Sequence, residues 1–414
     1  MMHVLLIHQA FVSPKEPGGT RHYELARCMV KQGHKVTIIA SNLSYLTGQR
    51  TTLQSNLISQ EFMDGIQVLR VYTYPSLHRS FVWRVVSFFS FMFSSIFAAM
   101  RVKNIDLVMG TSPPIFQLVS AWLAAKIHRK PFLLEIRDLW PAFAIDMGVL
   151  NNPMLIRISR RLEHFLYDRA DHFLVNSPAY KDYLIHKGIP KDKISLIPNG
   201  VDLMMFKPEM KGVKIRNEFN SESLFVVTYT GALGLANDIQ TLLRAAKHLV
   251  DKPDIRFLIV GDGKERPRLE KLARKWNLIN VTFTGSRSKS KIPEILAASD
   301  VCVAILQDIP MFRTTYPNKV FDYMAAGCPT ILAIDGVIRE VIESANGGIF
   351  VHPGDDEALA NTVLELRNDR GLAKTMGMSA RHYVEKHFDR RKHAEQFLDL
   401  MKHLLDTHKK LVKL

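Results

Sequence analysis

Residues 226–263 read VVTYTGALGLANDIQTLLRAAKHLVDKPDIRFLIVGDG, and their order decides the fold. Val226–Thr230 is a short β-branched and aromatic run, the composition of a strand. A glycine-bearing loop, Gly231–Asn237, follows it. Next come a helix over Ile239–Val250, a second strand over Arg256–Val260 and a Gly261-Asp262-Gly263 turn. Strand, helix, strand at this spacing is a βαβ unit, whose two strands lie parallel in a doubly wound sheet.

The same rhythm continues in both directions. Downstream it predicts a helix over Arg266–Trp276, a strand over Thr282–Thr284, a helix over Ile292–Ser299 and a strand over Val301–Ile305. A helix over Lys319–Ala326, stopped by Gly327 and Pro329, and a strand over Thr330–Ala333 complete the unit. Upstream, His3–His8 is a continuous apolar run, as a strand buried on both faces should be. After it come a Pro/Gly loop, a helix over Thr20–Lys31 and a strand over Lys35–Ala40. Further strands are expected at Ile66–Val71, Leu107–Met109, Phe132–Glu135 and Phe173–Val175. Between the halves, Pro198-Asn199-Gly200-Val201-Asp202 and Pro208 read as a turn-rich linker. The expected fold class is therefore α/β: a Rossmann-like domain over 1–197, a linker over 198–208 and a second Rossmann-like domain over 209–390. A basic amphipathic helix over 391–414 can cross back to the first domain. Ligands of open α/β sheets bind off the carboxyl ends of the strands, so two such sheets facing each other make a cleft suited to two substrates.

Composition narrows the class. The chain has 414 residues, 47% of them hydrophobic, which excludes a disordered or collagenous chain and exceeds one domain. Lys and Arg number 55 against 40 Asp and Glu, a net +15; such a balance attracts nucleotides, nucleic acid or an anionic membrane face. Cys28, Cys302 and Cys328 are too few and too far apart for a disulfide framework or a zinc ribbon, and they point to a reducing compartment. The apolar start Met1–Gln9 is too short for a secretory h-region and has no basic lead-in.

Four stretches carry candidate chemistry. In the loop Pro17-Gly18-Gly19-Thr20-Arg21-His22, glycines precede a helix whose N-terminus favours an anion. No GxGxxG is present and no acid follows the second strand, which argues against a dinucleotide; a plain Gly-Gly turn is the structural alternative. The loop containing Gly231 and Gly234 sits in the analogous place in the second half. In Tyr316-Pro317-Asn318-Lys319-Val320-Phe321-Asp322, Pro317 leaves free N–H groups behind it. Asn318 and Lys319 stand where helix dipole, amide and ammonium together can hold a diphosphate. One turn on, Asp322 can accept hydrogen bonds from sugar or ribose hydroxyls; a Lys319–Asp322 surface pair is the bland alternative. In Glu135-Ile136-Arg137-Asp138-Leu139-Trp140-Pro141, charges appear abruptly at a strand's carboxyl end. Asp138 can orient an acceptor hydroxyl and Arg137 can steady a phosphate, or the two form a salt bridge. Gly285-Ser286-Arg287-Ser288 can offer backbone groups to a base. The histidines show no HExxH spacing and Asp355-Asp356 is no DxD element, so no metal is expected.

One segment points elsewhere. Val85 to Met100 carries no charge but falls short of the roughly 20 residues needed to span a bilayer. As a helix it places Val85, Phe88, Phe89, Met92, Phe93, Ile96 and Met100 on one face and Ser87, Ser90, Ser94, Ser95 and Ala98 on the other. Arg79, Arg84, Arg101 and Lys103 flank it. Packing on a sheet and lying in a membrane interface both fit this pattern.

Taken in order, GGTRHYELARCMVKQGHKVTII, EIRDLWP, IPNGVD, TGALGL, IVGDGKERPRLE and PNKVFDYMAAGCPTI resemble a retaining family 4 glycosyltransferase of the GT-B fold. More narrowly, GGTRHYE, RDLWP and PNKVFDYMAAG look like the L-fucosamine transferase branch of O-antigen and capsule assembly. The resemblance implies a nucleotide-diphosphate sugar donor, often UDP-linked, and a saccharide acceptor, here a polyprenyl-diphosphate-linked one. It implies transfer with retention, no metal or other cofactor, and a cytoplasmic place with peripheral membrane contact. By the same resemblance the catalytic group comprises Lys319, Asp138 and Arg137, with Lys319 meeting the leaving group. The donor contacts are Gly18, Gly19, Gly231, Gly234, Arg287, Arg313, Thr314, Asn318, Lys319 and Asp322, and the acceptor contacts Arg21 and His22. Asp322 falls on the second acid of the family's paired-glutamate motif, whereas Thr314 replaces the first. Asn237-Asp238 stands where the family's loop lysine is usual, so Arg313 or Arg287 is expected to supply that charge, and Arg137 stands at the family's first-domain histidine. A UDP-sugar 2-epimerase of the same fold lacks a convincing His/Glu set here, and a nucleic-acid binder lacks any recognition motif.

Overall fold

The computed structural model describes residues 1–414 except 45–47, 49, 52–56, 76–80, 208–209 and 414; Arg79 and Pro208 lie outside the described residues. The chain divides into two compact units: Met1–Ser13, Thr20–Pro198 and Arg391–Leu414 form the first, and Pro14–Gly19 with Asn199–Arg390 the second.

The first unit holds β1 (His3–Ile7), β2 (Lys35–Ser41), β3 (Ile58–Met63), β4 (Ile66–Val71), β5 (Leu107–Ser112), β6 (Phe132–Ile136), β7 (His172–Val175) and β8 (Ile194–Leu196). They form one sheet in the order β3-β4-β2-β1-β5-β6-β7-β8, parallel except for the β3–β4 hairpin. β1 is buried along its whole length, which explains its uninterrupted apolar sequence. The chain leaves β1 toward β2 on one side and later returns to β5 on the other. The switch point of the sheet therefore lies between β1 and β5. Of this hairpin, β4 is among the expected strands and β3 is not. Its turn is Asp64-Gly65, with φ of 48° and 82°, the two left-handed residues of a tight hairpin turn; Ile58–Met63 carries three consecutive polar residues, Ser59-Gln60-Glu61, and so lacks the buried-strand signature.

The C-terminal helix Arg390–Lys413 buries Ala394, Phe397, Leu398, Met401 and Leu404 among Met2, Val4, Tyr23, Met29 and Val36, completing the first unit's core.

The helix Phe81–Ala99 packs by an unexpected face. Ser87, Phe91, Ser95, Ala98 and Ala99 are buried, whereas Phe89, Phe93 and Met100 are exposed. The expectation that the large apolar stripe packs on the sheet holds for Met92 and fails for these three. The small residues allow close approach to the neighbouring helix Phe116–His128. There Ser95 Oγ donates to Ser120 Oγ at 2.9 Å and Ser120 Oγ to the Met92 carbonyl at 3.0 Å. Among the described residues no helix is long and apolar enough to cross a membrane.

The second unit holds β9 (Phe225–Thr230), β10 (Ile255–Val260), β11 (Val281–Gly285), β12 (Val301–Ile305), β13 (Thr330–Ala333) and β14 (Gly348–Phe350). All are parallel, in the order β11-β10-β9-β12-β13-β14, and the switch point lies between β9 and β12. The segment read as a linker belongs to this unit from Asn199 onward. Val201, Leu203 and Phe206 are buried with Val320, Phe321, Tyr323 and Met324, so apolar side chains spaced among the turn residues anchor it.

Met401 is fully buried although it lies near the end of the chain. Met401→Ala is expected to destabilise the first unit by about 2–4 kcal/mol, read as an earlier urea transition. A loss below about 1 kcal/mol would show that the helix is only an appendage.

Candidate functional site

In the second unit the loop after β9 and the helix Asn318–Ala325 meet at the switch point. Lys319 Nζ donates to Tyr229 Oη at 2.9 Å and to Asn237 Oδ1 at 3.1 Å, and lies 4.1 Å from the centre of the Tyr229 ring. The Tyr229 hydroxyl itself donates to the Ala232 carbonyl at 2.8 Å, which turns its lone pairs toward the lysine. Among the described residues every partner of this ammonium is neutral. Burial accordingly lowers the Lys319 pKa to about 7, because a desolvated cation without a counter-charge gives up its proton readily.

Gly231 makes this approach possible. It has φ of +148°, and a Cβ there would stand 2.8 Å from Lys319 Nζ and 3.0 Å from Tyr229 Oη. Asn237 occupies the place of the loop lysine that the resemblance called for, and its side-chain oxygen holds Lys319, which arrives from the helix instead. The adjacent Asn318 has a buried Oδ1 with no hydrogen-bond partner among the described residues. At Gly234 a Cβ would meet nothing within 4 Å. Gly18, with φ of +136°, and Gly19 lie in the 14–19 stretch that groups with this unit.

Other residues expected here are engaged elsewhere. The Asp322 carboxylate forms an ion pair with Lys289, both side chains only about a tenth exposed. Its partner is a cation 33 residues away in sequence, which takes one of the two carboxylate oxygens. Arg287 pairs with Glu218 at 2.6 Å. Arg313 is exposed and faces Asp308 at 3.3 Å and Asp335 at 4.0 Å. Neither arginine is hydrogen-bonded to Lys319 or to its partners Tyr229 and Asn237. Thr314 Oγ1 donates to the Met311 carbonyl at 2.6 Å within a short turn.

The first unit gathers charge at its own switch point. Glu135, fully buried on β6, accepts from Arg21 Nε at 3.1 Å and from His22 Nε2 at 2.5 Å. Burial pushes the Glu135 pKa upward, but His22, Arg21 and Arg137 overcome it and hold the carboxyl well below its usual range. Arg21 also donates to the Pro198 carbonyl at 2.7 Å and the Ile197 carbonyl at 2.8 Å. Buried and so engaged, it ties the sheet together rather than reaching an acceptor. Arg137 Nη1 lies 3.4 Å from His8 Nε2 and 3.3 Å from His22 Nδ1. A guanidinium has only donors, so both facing ring nitrogens carry lone pairs and both rings are neutral. His22 then carries its proton on Nε2, toward Glu135. His8 carries its proton on Nδ1, a buried position with no partner among the described residues. Burial lowers the pKa of both rings. His22, expected at an acceptor, instead orients Arg137. The pKa of Asp138, on the next turn of chain, is raised by burial to about 6 against the pull of Arg137 and the Tyr180 hydroxyl.

Glu135 and His8 were not among the expected site residues. The one signal was Glu135's place in an otherwise apolar strand, where a carboxylate needs a partner. Among the described residues no group of three or more His, Cys, Asp or Glu is arranged to hold a metal ion.

Comparison with known proteins agrees with this architecture. Residues 18–204 match the model described as Glycosyltransferase Family 4, and residues 225–369 the model described as Glycosyl transferases group 1. A protein of Escherichia coli K12 named for colanic acid biosynthesis, the glycosyl transferase WcaI, is 24% identical over 95% of this chain and 98% of its own. Sucrose-phosphate synthase from Thermosynechococcus elongatus superposes with a TM-score of 0.76 at 21% identity, covering 98% of this chain and all of that one. HepE of Anabaena, solved with UDP and glucose, superposes at 0.74 with 19% identity, covering 97% of this chain and all of that one. At these identities the two solved structures establish the fold, GT-B, with its two Rossmann-like parallel-sheet domains.

Two outcomes follow from the geometry. Gly231→Ala is expected to displace the Lys319 ammonium and weaken nucleotide-sugar binding by about tenfold or more, measured calorimetrically; unchanged affinity would mean the close approach is incidental. In the first unit, His8, His22 and His172 all have pKa values lowered by burial, His172 to about 4. Below about pH 6.5 the unfolded chain therefore binds protons that the fold refuses. Stability should fall from pH 6.5 toward pH 4 by up to about 1.4 kcal/mol per pH unit per histidine, less the opposite contribution of Asp138, whose raised pKa binds a proton in the fold below about pH 6; a flat melting temperature across that window would contradict it.

Proposed function

We propose, for a chain that is a glycosyltransferase of the family 4 type, that it moves a sugar from a UDP-linked donor to a lipid-linked saccharide during surface polysaccharide assembly. The observation that carries the reading is the Lys319 ammonium at the β9/β12 switch point, held by neutral partners at a helix N-terminus. The site has a cation and lacks an anion, and a diphosphate supplies one.

In this reading the donor's C1–O bond breaks as the acceptor's oxygen bonds to C1 on the same face. The acceptor proton passes to the departing phosphate oxygen, so that configuration is retained. The charge that grows on the diphosphate is met by Lys319 and by the free N–H groups at the start of its helix. These donors are fixed before the reaction, the arrangement that contributes most to such transfers. No metal is required by this scheme. In this scheme Asp138, with its pKa raised by burial, orients the acceptor hydroxyl, and Arg137 holds an anionic part of the acceptor.

HepE, solved with UDP and glucose, supports a uridine donor, and WcaI, named for colanic acid biosynthesis, supports a polysaccharide product. The GGTRHYE, RDLWP and PNKVFDYMAAG elements favour an N-acetylated amino or deoxy sugar. The lipid-linked acceptor places the enzyme on the cytoplasmic face of the membrane. An epimerase is not favoured, because among the described residues no carboxylate or histidine is hydrogen-bonded to Lys319, and the sequence carries no nucleic-acid recognition motif.

Screening UDP-sugars by mass spectrometry with a polyprenyl-diphosphate sugar should show one donor consumed and the lipid glycan lengthened, with or without EDTA. If no nucleotide sugar binds, the reading fails; a strict need for a divalent cation removes its metal-free step. Lys319→Met is expected to lower kcat/KM by about 10²–10³ without loss of fold. The wild-type lysine has a folded pKa near 7 and an unfolded one near 10.4, so the fold binds fewer protons between them and its stability rises with pH there. The variant should lack that rise. Equal losses of stability and activity would make Lys319 structural.

A further inference from the structure

The exposed face of the helix Phe81–Ala99 is not used by either switch-point cluster. Val86, Phe89, Phe93, Phe97 and Met100 are 37–64% exposed. At 100° per residue they fall within an arc of about 80°, opposite the buried face of Ser87, Phe91, Ser95 and Ala98. A large apolar side chain alone on a surface is ordinary; five in one line are not. The buried face of the helix mixes Phe91 and Met92 with serines and alanines, while Phe89, Phe93 and Phe97 line the outside.

Charge says what covers the stripe. Residues 81–105 contain Arg84, Arg101 and Lys103 and no acid, all three cations are exposed, and Arg101 lies over the Phe97 ring at 4.1 Å. A second basic surface lies close in the fold. The helix Pro153–Tyr167 packs on the helix Phe116–His128 through Phe165 and Trp122, with ring centres 4.9 Å apart, and Phe116 of that helix touches Phe89 at 4.9 Å. Pro153–Tyr167 exposes Met154, Leu155 and Ile158 beside Arg157, Arg160 and Arg161. Aromatic and aliphatic tips ringed by arginines match a layer that is apolar below and anionic at its surface. A second copy of this chain fits poorly, because pairing the stripes would bring the same cations together in a chain of net +15.

We propose that the stripe Val86–Met100, with the neighbouring arginines, is a membrane-docking surface for anionic lipid. The apolar tips enter the interface and Arg84, Arg101 and Lys103 meet the headgroup phosphates. The proposal deepens the reading of a lipid-linked acceptor, but its physical basis is independent of donor chemistry.

The test is sedimentation of the full chain with phosphatidylcholine vesicles, with and without roughly one third phosphatidylglycerol. Binding is expected only to the anionic vesicles and should weaken as salt is raised. The double variant Phe93→Ser, Phe97→Ser should bind at least about tenfold less, while its UDP-sugar affinity and melting temperature stay unchanged. Arg84→Gln with Arg101→Gln should weaken binding to anionic vesicles only. Failure to pellet with anionic vesicles, or pelleting indifferent to both variants, overturns the proposal. Concentration-dependent dimerisation by light scattering, abolished by the serine variant, would instead assign the stripe to self-association and also overturn it. Vesicle binding as predicted, in a chain that binds no nucleotide sugar, would leave this surface standing and remove the enzymatic reading.

Discussion

A nearly buried ammonium without a counter-charge organises the second unit. Lys319 has a hydroxyl, a carboxamide oxygen and the face of an aromatic ring around it, and each is weaker than the carboxylate a structural lysine would have. Such a group costs stability and persists only where something else over-determines its position. Here the constraint is backbone. The chain turns at Gly231 with no side chain in the way, Ala232 fixes the Tyr229 hydroxyl, and the helix beginning at Asn318 delivers the lysine to the same point. That point lies between β9 and β12, where the sheet's connections diverge and leave a crevice.

The first unit solves the opposite problem at the corresponding place. Its buried carboxylate, Glu135, is fully engaged by Arg21 and His22. The remaining cation, Arg137, is held between two neutral imidazoles. One unit thus presents a lone cation prepared for a strong anion. The other presents a guanidinium whose orientation is fixed by rings that must stay unprotonated. Both use the same device, in which a neutral partner aims a cation without neutralising it.

The architecture was legible because parallel strands are buried on both faces and therefore read as unbroken apolar runs; β1, β9, β10 and β12 are of this kind. Lys319 was legible for a related reason, since a proline followed by Asn-Lys at a helix start says where free N–H groups and a cation will stand. What escaped depends on distant partners or on close packing. Nothing local marks Asp322 as the partner of Lys289, or Arg287 as that of Glu218, and both had been assigned to the donor. Glu135 looked like the end of a strand until Arg21 and His22 were brought to it from more than 100 residues away. In Phe81–Ala99 the pattern left packing and an interfacial face both open; the helix meets its neighbour at Ser95 and Ser120 and buries Phe91 beside them, a choice of face that periodicity alone does not make. The β3 strand escaped because Ser59-Gln60-Glu61 interrupts it with three consecutive polar residues, although Asp64-Gly65 announced its turn.

The most direct measurement is the proton taken up when a UDP-sugar binds, obtained from calorimetric titrations at pH 7 in two buffers of different ionisation enthalpy. If the diphosphate binds against Lys319, whose pKa burial lowers to about 7, the anion raises that pKa and protons should enter as the donor binds, and the uptake should vanish in Lys319→Met. Binding with no proton uptake, or uptake that survives the substitution, would contradict the assignment of this ammonium to the donor.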